Sequence, residues 1–237
     1  MANHCALIAL PGFLGLKNDW DQFKSHHFGV DVFIPESLFY ASSLNKFALT
    51  FRAKIEKKYF PSKVLMGYSL GGRLALHILL AAPHLWNKAI IVSAHPGLNT
   101  LKEKKQRLAN DTIWAHKFLN EPWECLMHEW NQQDVFQGSS PCFERMEKEF
   151  NRSDLARFLT CYSLGCQKDL RKEIAKLTFP ILWITGGLDQ KFSSLASELK
   201  FTHPKSRILH VRNAGHRVPW EQPIIFQKEV YSFLKED

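Results

Sequence analysis

From its N-terminus, the chain alternates short, wholly apolar runs with longer stretches whose apolar positions recur at helical spacing. HCALIAL (residues 4–10) closes on Pro11-Gly12 and predicts a buried strand entering a loop. GVDVFIP (29–35) predicts the next strand. SSLNKFALTFRAKIEKKY (42–59) predicts a helix with Ser42 or Ser43 as its N-cap. KVLMGYS (63–69) predicts a buried strand running directly into a helix over 70–82, which stops ahead of Pro83. KAIIVSA (88–94), FPILWITG (179–186) and SRILHV (206–211) are further strands, and IIFQKEVYSFLK (224–235) is a closing helix. Strands alternating with helices predict a mostly parallel sheet flanked by helices on both faces.

Between residues 98 and 177 that rhythm stops. The segment lacks a strong strand pattern, reads as several helices and holds Trp114, Trp123 and Trp130. It is expected to be a helical cap (98–177) inserted between the two parts of one α/β core (1–97 and 178–237), not an independent domain. No repeat of solenoid period interrupts this organisation.

Composition narrows the picture. With 237 residues, 45% apolar and 23% charged, the chain is long enough for one sizeable core. The net charge of +8 suits a nucleic acid, an anionic surface or an anionic small molecule. The basic residues are scattered, and no nucleic-acid-binding signature accompanies them, so a small polyanionic substrate is the more specific expectation. Five cysteines, an odd number without a C-x-x-C pair, argue against a disulfide framework and a structural zinc site. Reduced thiols in a cytoplasmic protein are expected. The opening MANHCALIALPGF has no basic n-region and too short an apolar run for a signal peptide or a membrane span. Without heptads or a long apolar stripe beyond the core, a monomer is the default.

Gly67-Tyr68-Ser69-Leu70-Gly71 sits where a predicted buried strand meets a helix. A nucleophile on so sharp a turn needs small flanking residues, and the turn lifts its hydroxyl clear of the sheet. The Leu70 N–H at the helix start can then stabilise an oxyanion. An ordinary glycine-rich turn is the plain alternative. Among eleven histidines, His216 in VRNAGHRVPWEQP follows a strand and is the expected base. His77 and His210 fall inside predicted elements, and His95 could line the site. Asp189, after ILWITGGL, is the expected acid that orients His216. The order Ser69, Asp189, His216 is the α/β-hydrolase order. A second oxyanion donor is expected from LPGFLG, at the Phe13 N–H.

LPGFLG…DW, GYSLGGRLALH, SAHPGL, EKKQRLANDTIWAHKFL, EWNQQDVF, YSLGCQKDLR, GGLDQKF and AGHRVPWEQP resemble the MenH family, the 2-succinyl-6-hydroxy-2,4-cyclohexadiene-1-carboxylate synthases of menaquinone synthesis. The resemblance extends over nearly the whole chain and implies an α/β-hydrolase fold with an inserted cap. It implies a carbon–oxygen lyase in which the triad removes a proton and pyruvate leaves, with no metal or organic cofactor. It carries over Ser69, Asp189 and His216 as the triad, Arg73 and Arg107 as partners for substrate carboxylates, and Tyr68 and Trp130 as pocket residues. A guanidinium binds a carboxylate through paired, charge-assisted hydrogen bonds, which suits a small polycarboxylate substrate. Asn131 stands where family members often have Tyr. A further cap arginine of the family has no clean counterpart; Lys148 is taken into the substrate set, with Arg145 and Arg152 as alternatives. The same triad would also serve a carboxylesterase or thioesterase, for example on a pimeloyl ester, through an acyl-enzyme. A binding protein on an inactive hydrolase fold would lack a triad member.

Overall fold

The computed structural model describes residues 5–23, 41–58, 62–137, 139 and 141–236. The strand expected at 29–35 lies outside them. The five described strands are β1 (Cys5–Leu10), β2 (Ser62–Tyr68), β3 (Lys88–Val92), β4 (Ile181–Gly186) and β5 (Arg207–Val211). They form one sheet in the order β1-β2-β3-β4-β5, and every pairing is parallel. Parallel strands need crossovers that cover both faces, which is why β2 to β4 are almost wholly apolar.

Helices α1 (Leu44–Glu56) and α2 (Leu70–Ala81) bury Phe47, Phe51, Leu74 and Ile78 with Ile8, Leu65 and Trp183 of the sheet. Ser43 caps α1, its Oγ accepting from Lys46 N at 3.2 Å. The opposite face packs Met66, Val92 and Ile184 against Trp20, and against Phe226 and Phe233 of the closing helix α9 (Pro223–Lys235). Short helices α7 (Gln190–Ser197) and α8 (Val218–Glu221) follow β4 and β5. Because the strands are parallel and consecutive, the segments after all five emerge at one edge of the sheet. These are the 11–15 loop, Ser69, the 93–97 loop, Asp189 and His216.

The chain between β3 and β4 is helical. It contains α3 (Leu101–Asn120), α4 (Trp123–Asn131), α5 (Arg152–Cys161) and α6 (Arg171–Ile174). Trp114, Phe118, Trp123, Leu126 and Leu155 form a separate apolar cluster there. Phe158 and Tyr162 at the end of α5 pack instead into the core of the sheet. Thr100 and Glu103 close α3 with a reciprocal capping box.

A buried ion pair ties the insertion to the 11–23 segment. Arg145 donates from Nη1 and Nη2 to the two oxygens of Asp19, at 2.8 and 2.6 Å. Asp19 is 4% exposed and also accepts from Leu16 N at 2.8 Å. Removing one member of a buried pair strands the other charge and costs about 3–5 kcal/mol. Arg145→Ala is expected to lower the unfolding free energy by about 3 kcal/mol, near the lower bound because the arginine retains some contact with solvent. Adding Asp19→Ala should return part of that loss, as urea denaturation would show.

Candidate active site

The turn at Ser69 has φ 51° and ψ −113°, a region that L residues rarely occupy. Its surroundings hold it there. Ser69 N donates to Val92 O at 2.8 Å, locking the turn to the neighbouring strand. The glycines on either side are required by close approach. A Cβ on Gly67 would run into the Gly71 carbonyl, and one on Gly71 into the carbonyls of Leu10 and Pro11. Ser69 is formally the N-cap of α2, yet its side chain makes no capping bond, so Oγ is left to face the loop after β5.

There Oγ lies 3.0 Å from His216 Nε2. His216 Nδ1 donates to Asp189 Oδ2 at 2.7 Å, which leaves Nε2 as the acceptor for the serine hydroxyl. Asp189 Oδ1 accepts from Phe192 N at 3.2 Å as the N-cap of α7, so both carboxylate oxygens are directed. The 187–189 loop is fixed to the 211–214 loop by Gly187 N→Val211 O and Leu188 N→Ala214 O. Phe192 packs against the His216 ring with centroids 4.6 Å apart. Both His216 and Asp189 are buried, while Ser69 is half-buried.

The two backbone donors expected for an oxyanion belong to Leu70 and Phe13. Leu70 opens α2, where the N–H has no intrahelical acceptor. Phe13 is the second residue of a turn closed by Gly15 N→Gly12 O at 3.0 Å, with Leu14 at φ 59°. The Phe13 ring lies across Phe118 and Trp130 of the insertion, at 5.2 and 4.8 Å between centroids.

Two clefts flank the 11–15 loop. The first is walled by Tyr68, Trp130, Phe136, Arg145 and Arg217. Tyr68 stacks edge-on with Trp220, and burial pushes its hydroxyl pKa up. The second, more apolar cleft is lined by Leu70, Leu74, Leu155 and Phe158.

The arginines differ. Arg73, in the first turn of α2, is 7% exposed and not solvated as a surface residue would be. Its Nε donates to Gln167 Oε1 at 2.8 Å and its Nη2 to Tyr162 O at 2.7 Å. Among the described residues no carboxylate bonds it. Burial, and then the charge of Arg107, pulls its pKa down to about 9. Arg107 instead bonds both oxygens of buried Asp111 from Nε, at 2.8 and 2.9 Å. The i,i+4 spacing signals this pair in the sequence. Lys148 is exposed and lines neither cleft. Arg152 caps the end of α3, bonding the carbonyls of Phe118 and Glu121. Arg145 is the one of these three on a cleft wall, paired with Asp19. Arg217, not singled out by its sequence, joins it and bonds Asn131 Oδ1 at 2.5 Å.

Comparison with solved structures follows from this geometry. MenH from S. aureus superposes with a TM-score of 0.83, covering 99% of this chain and 95% of that one at 21% identity. A thermophilic esterase from Thermogutta terrifontis superposes with a TM-score of 0.69, over 98% and 89% of the two chains at 15% identity. The chain is a member of the α/β-hydrolase superfamily. In sequence it is 35% identical over 164 residues to the 2-succinyl-6-hydroxy-2,4-cyclohexadiene-1-carboxylate synthase of Salmonella arizonae, covering 67% of this chain and 63% of that protein. A Bacillus subtilis relative is 33% identical over 177 residues, covering 72% and 65%. Within the superfamily, the chain belongs to the MenH family. It spans a little under two thirds of the length of the curated relatives it matches. No family model matches it.

His95, after β3, is buried beside these cations, and its Nδ1 accepts from Gly97 N at 3.1 Å. Burial, with the charges of Lys191 and Arg73, lowers its pKa from 6.5 to about 3. The unfolded chain therefore binds a proton below pH 6.5 that the folded chain refuses. Stability is lost as pH falls from about 6.5 toward 3, by at most about 1.4 kcal/mol per pH unit for this residue. His95→Asn should flatten the pH dependence of unfolding between pH 6 and 4 by close to one proton, measured by urea titration at each pH.

Proposed function

We propose that this protein eliminates pyruvate from 2-succinyl-5-enolpyruvyl-6-hydroxy-3-cyclohexene-1-carboxylate, as a carbon–oxygen lyase of menaquinone synthesis. The observation that carries this reading is the Ser69–His216–Asp189 hydrogen-bond chain one helical turn from Arg73, a buried guanidinium that no carboxylate among the described residues bonds. An ester hydrolase acting on a neutral substrate has no use for such a charge. A substrate with three carboxylates does.

In this reading Ser69 Oγ passes its proton to His216 Nε2 and takes one from the carbon adjoining the substrate's succinyl ketone. Asp189 holds His216 in the receptive tautomer and stabilises its charged form. The enolate-like oxygen is met by the N–H groups of Phe13 and Leu70. The ring–oxygen bond then breaks, the ring gains its second double bond, and the departing enolate takes at carbon the proton held by His216 to become pyruvate, leaving Ser69 reprotonated by the proton it took from the substrate. The sequence is redox-neutral and asks only for acid–base chemistry. Arg73 and Arg107 take substrate carboxylates, and Tyr68 and Trp130 wall the pocket. In place of Lys148, which is exposed, Arg145 or Arg217 is the better placed cation for a third carboxylate. The inserted segment 98–177 serves as the cap over a core made of 1–97 and 178–237. A monomeric, cytoplasmic enzyme fits the free thiols of Cys125, Cys161 and Cys166.

The second, apolar cleft supports one competing reading. An acyl chain against Leu74, Leu155 and Phe158 would place its carbonyl near Leu70, as a carboxylesterase or thioesterase requires.

A paired assay separates the two. Purified protein is given the enolpyruvyl tricarboxylate, with pyruvate followed, and separately p-nitrophenyl butyrate and a pimeloyl methyl ester. Fast pyruvate release is expected. Ser69→Ala should reduce kcat at least about 10²–10⁴-fold, and Arg73→Ala should reduce kcat/KM about 10–100-fold, the worth of hydrogen bonds to a charged group. Rapid ester cleavage without pyruvate would establish the esterase instead.

A further inference from the structure

Arg73 has five N–H donors in a fixed plane. Gln167 Oε1 and the Tyr162 carbonyl take the edge formed by Nε and one hydrogen of Nη2. The terminal edge, formed by Nη1 and the other Nη2 hydrogen, is engaged by no described residue, and it offers a carboxylate two parallel bonds. Gln167 is itself 1% exposed, and its amide has one orientation only. Oε1 must accept from Arg73, because Nε2 donates to the His95 carbonyl at 3.1 Å. That carbonyl belongs to the loop after β3, which is pinned to the same stretch of chain by Leu170 N→Pro96 O at 2.9 Å.

We propose that Gln167 is a positioning residue for substrate recognition: it aims the terminal edge of Arg73 at a substrate carboxylate while, being neutral, it leaves the guanidinium charge unspent. A glutamate in its place would hold Arg73 equally well in geometry but would neutralise it. It would also set a carboxylate against the His95 carbonyl. The contrast with Arg107, whose Nε is bonded by Asp111, and Arg145, whose two η nitrogens are bonded by Asp19, shows what a charged partner does in this fold. This role rests on the reading of Arg73 as a carboxylate partner.

The test is a double-mutant cycle on the full-length protein with the enolpyruvyl tricarboxylate as probe, reading KM and kcat separately together with thermal melting. Gln167→Leu is expected to raise KM about tenfold while kcat changes less than about threefold. Gln167→Glu, nearly the same size, should raise KM further and guards against a Leu variant that fails to fold. In an Arg73→Ala background neither substitution should raise KM again, because residues acting through one contact are not additive. A merely structural glutamine would lower kcat and the melting temperature along with affinity, and would do so with or without Arg73; that outcome overturns the positioning role. So does a KM that stays at the wild-type value in both Gln167 variants while Arg73→Ala raises it. An Arg73→Ala enzyme with unchanged KM would instead overturn the carboxylate reading itself.

Discussion

A serine backbone at φ 51° costs about 1–3 kcal/mol and persists here only because three other segments converge on it. Strand β3 anchors its N–H through Val92, the glycines let α2 start beneath the Leu10 and Pro11 carbonyls, and the loop after β5 brings His216 to its hydroxyl. The turn therefore fixes more than the nucleophile. It sets the first turn of α2, and with it the direction in which Arg73 leaves the helix. It also draws the 11–15 loop against Tyr68, so that Phe13 reaches both the core and the insertion.

Charge is distributed around this turn by a simple division. Arg145 and Arg107 each meet a buried carboxylate, which fixes their geometry and offsets part of their charge. Among the described residues Arg73 bonds an amide oxygen and a peptide carbonyl. Identical side chains thus take different parts according to whether the acceptor carries a charge. Neutral acceptors orient a guanidinium, whereas carboxylates orient it and offset part of its charge.

How much of this could be read from the sequence follows the range of each interaction. The elbow, Asp189 and His216 were legible because each follows an apolar run that could only be a buried strand, and a parallel sheet delivers all such loops to one edge. Ser43 was legible as a cap because capping spans three residues. Asp111 stood at i,i+4 from Arg107 and could have been read by the same local logic. Gln167 could not. It meets Arg73 across 94 residues, and a glutamine in a loop has no pattern of its own. A still longer separation hid the Asp19–Arg145 pair and left Lys148, which is exposed, standing for a cap cation. SAHPGL and YSLGCQKDLR carried part of the resemblance to MenH proteins, and in sequence nothing joins them. The structure does, since the two stretches meet at the His95 carbonyl and Gln167, over the guanidinium.

The unspent charge on Arg73 also sets the free protein in a shallower energy well than its sequence could reach. A guanidinium at 7% exposure that no carboxylate bonds among the described residues is costly to bury, and an apolar side chain of similar volume would relieve that cost. Selection for heat resistance alone would discard this residue early. Under the proposed carboxylate role of Arg73, an arriving anion would offset that cost, so occupancy and durability would be tied and the protein would be sturdiest while at work.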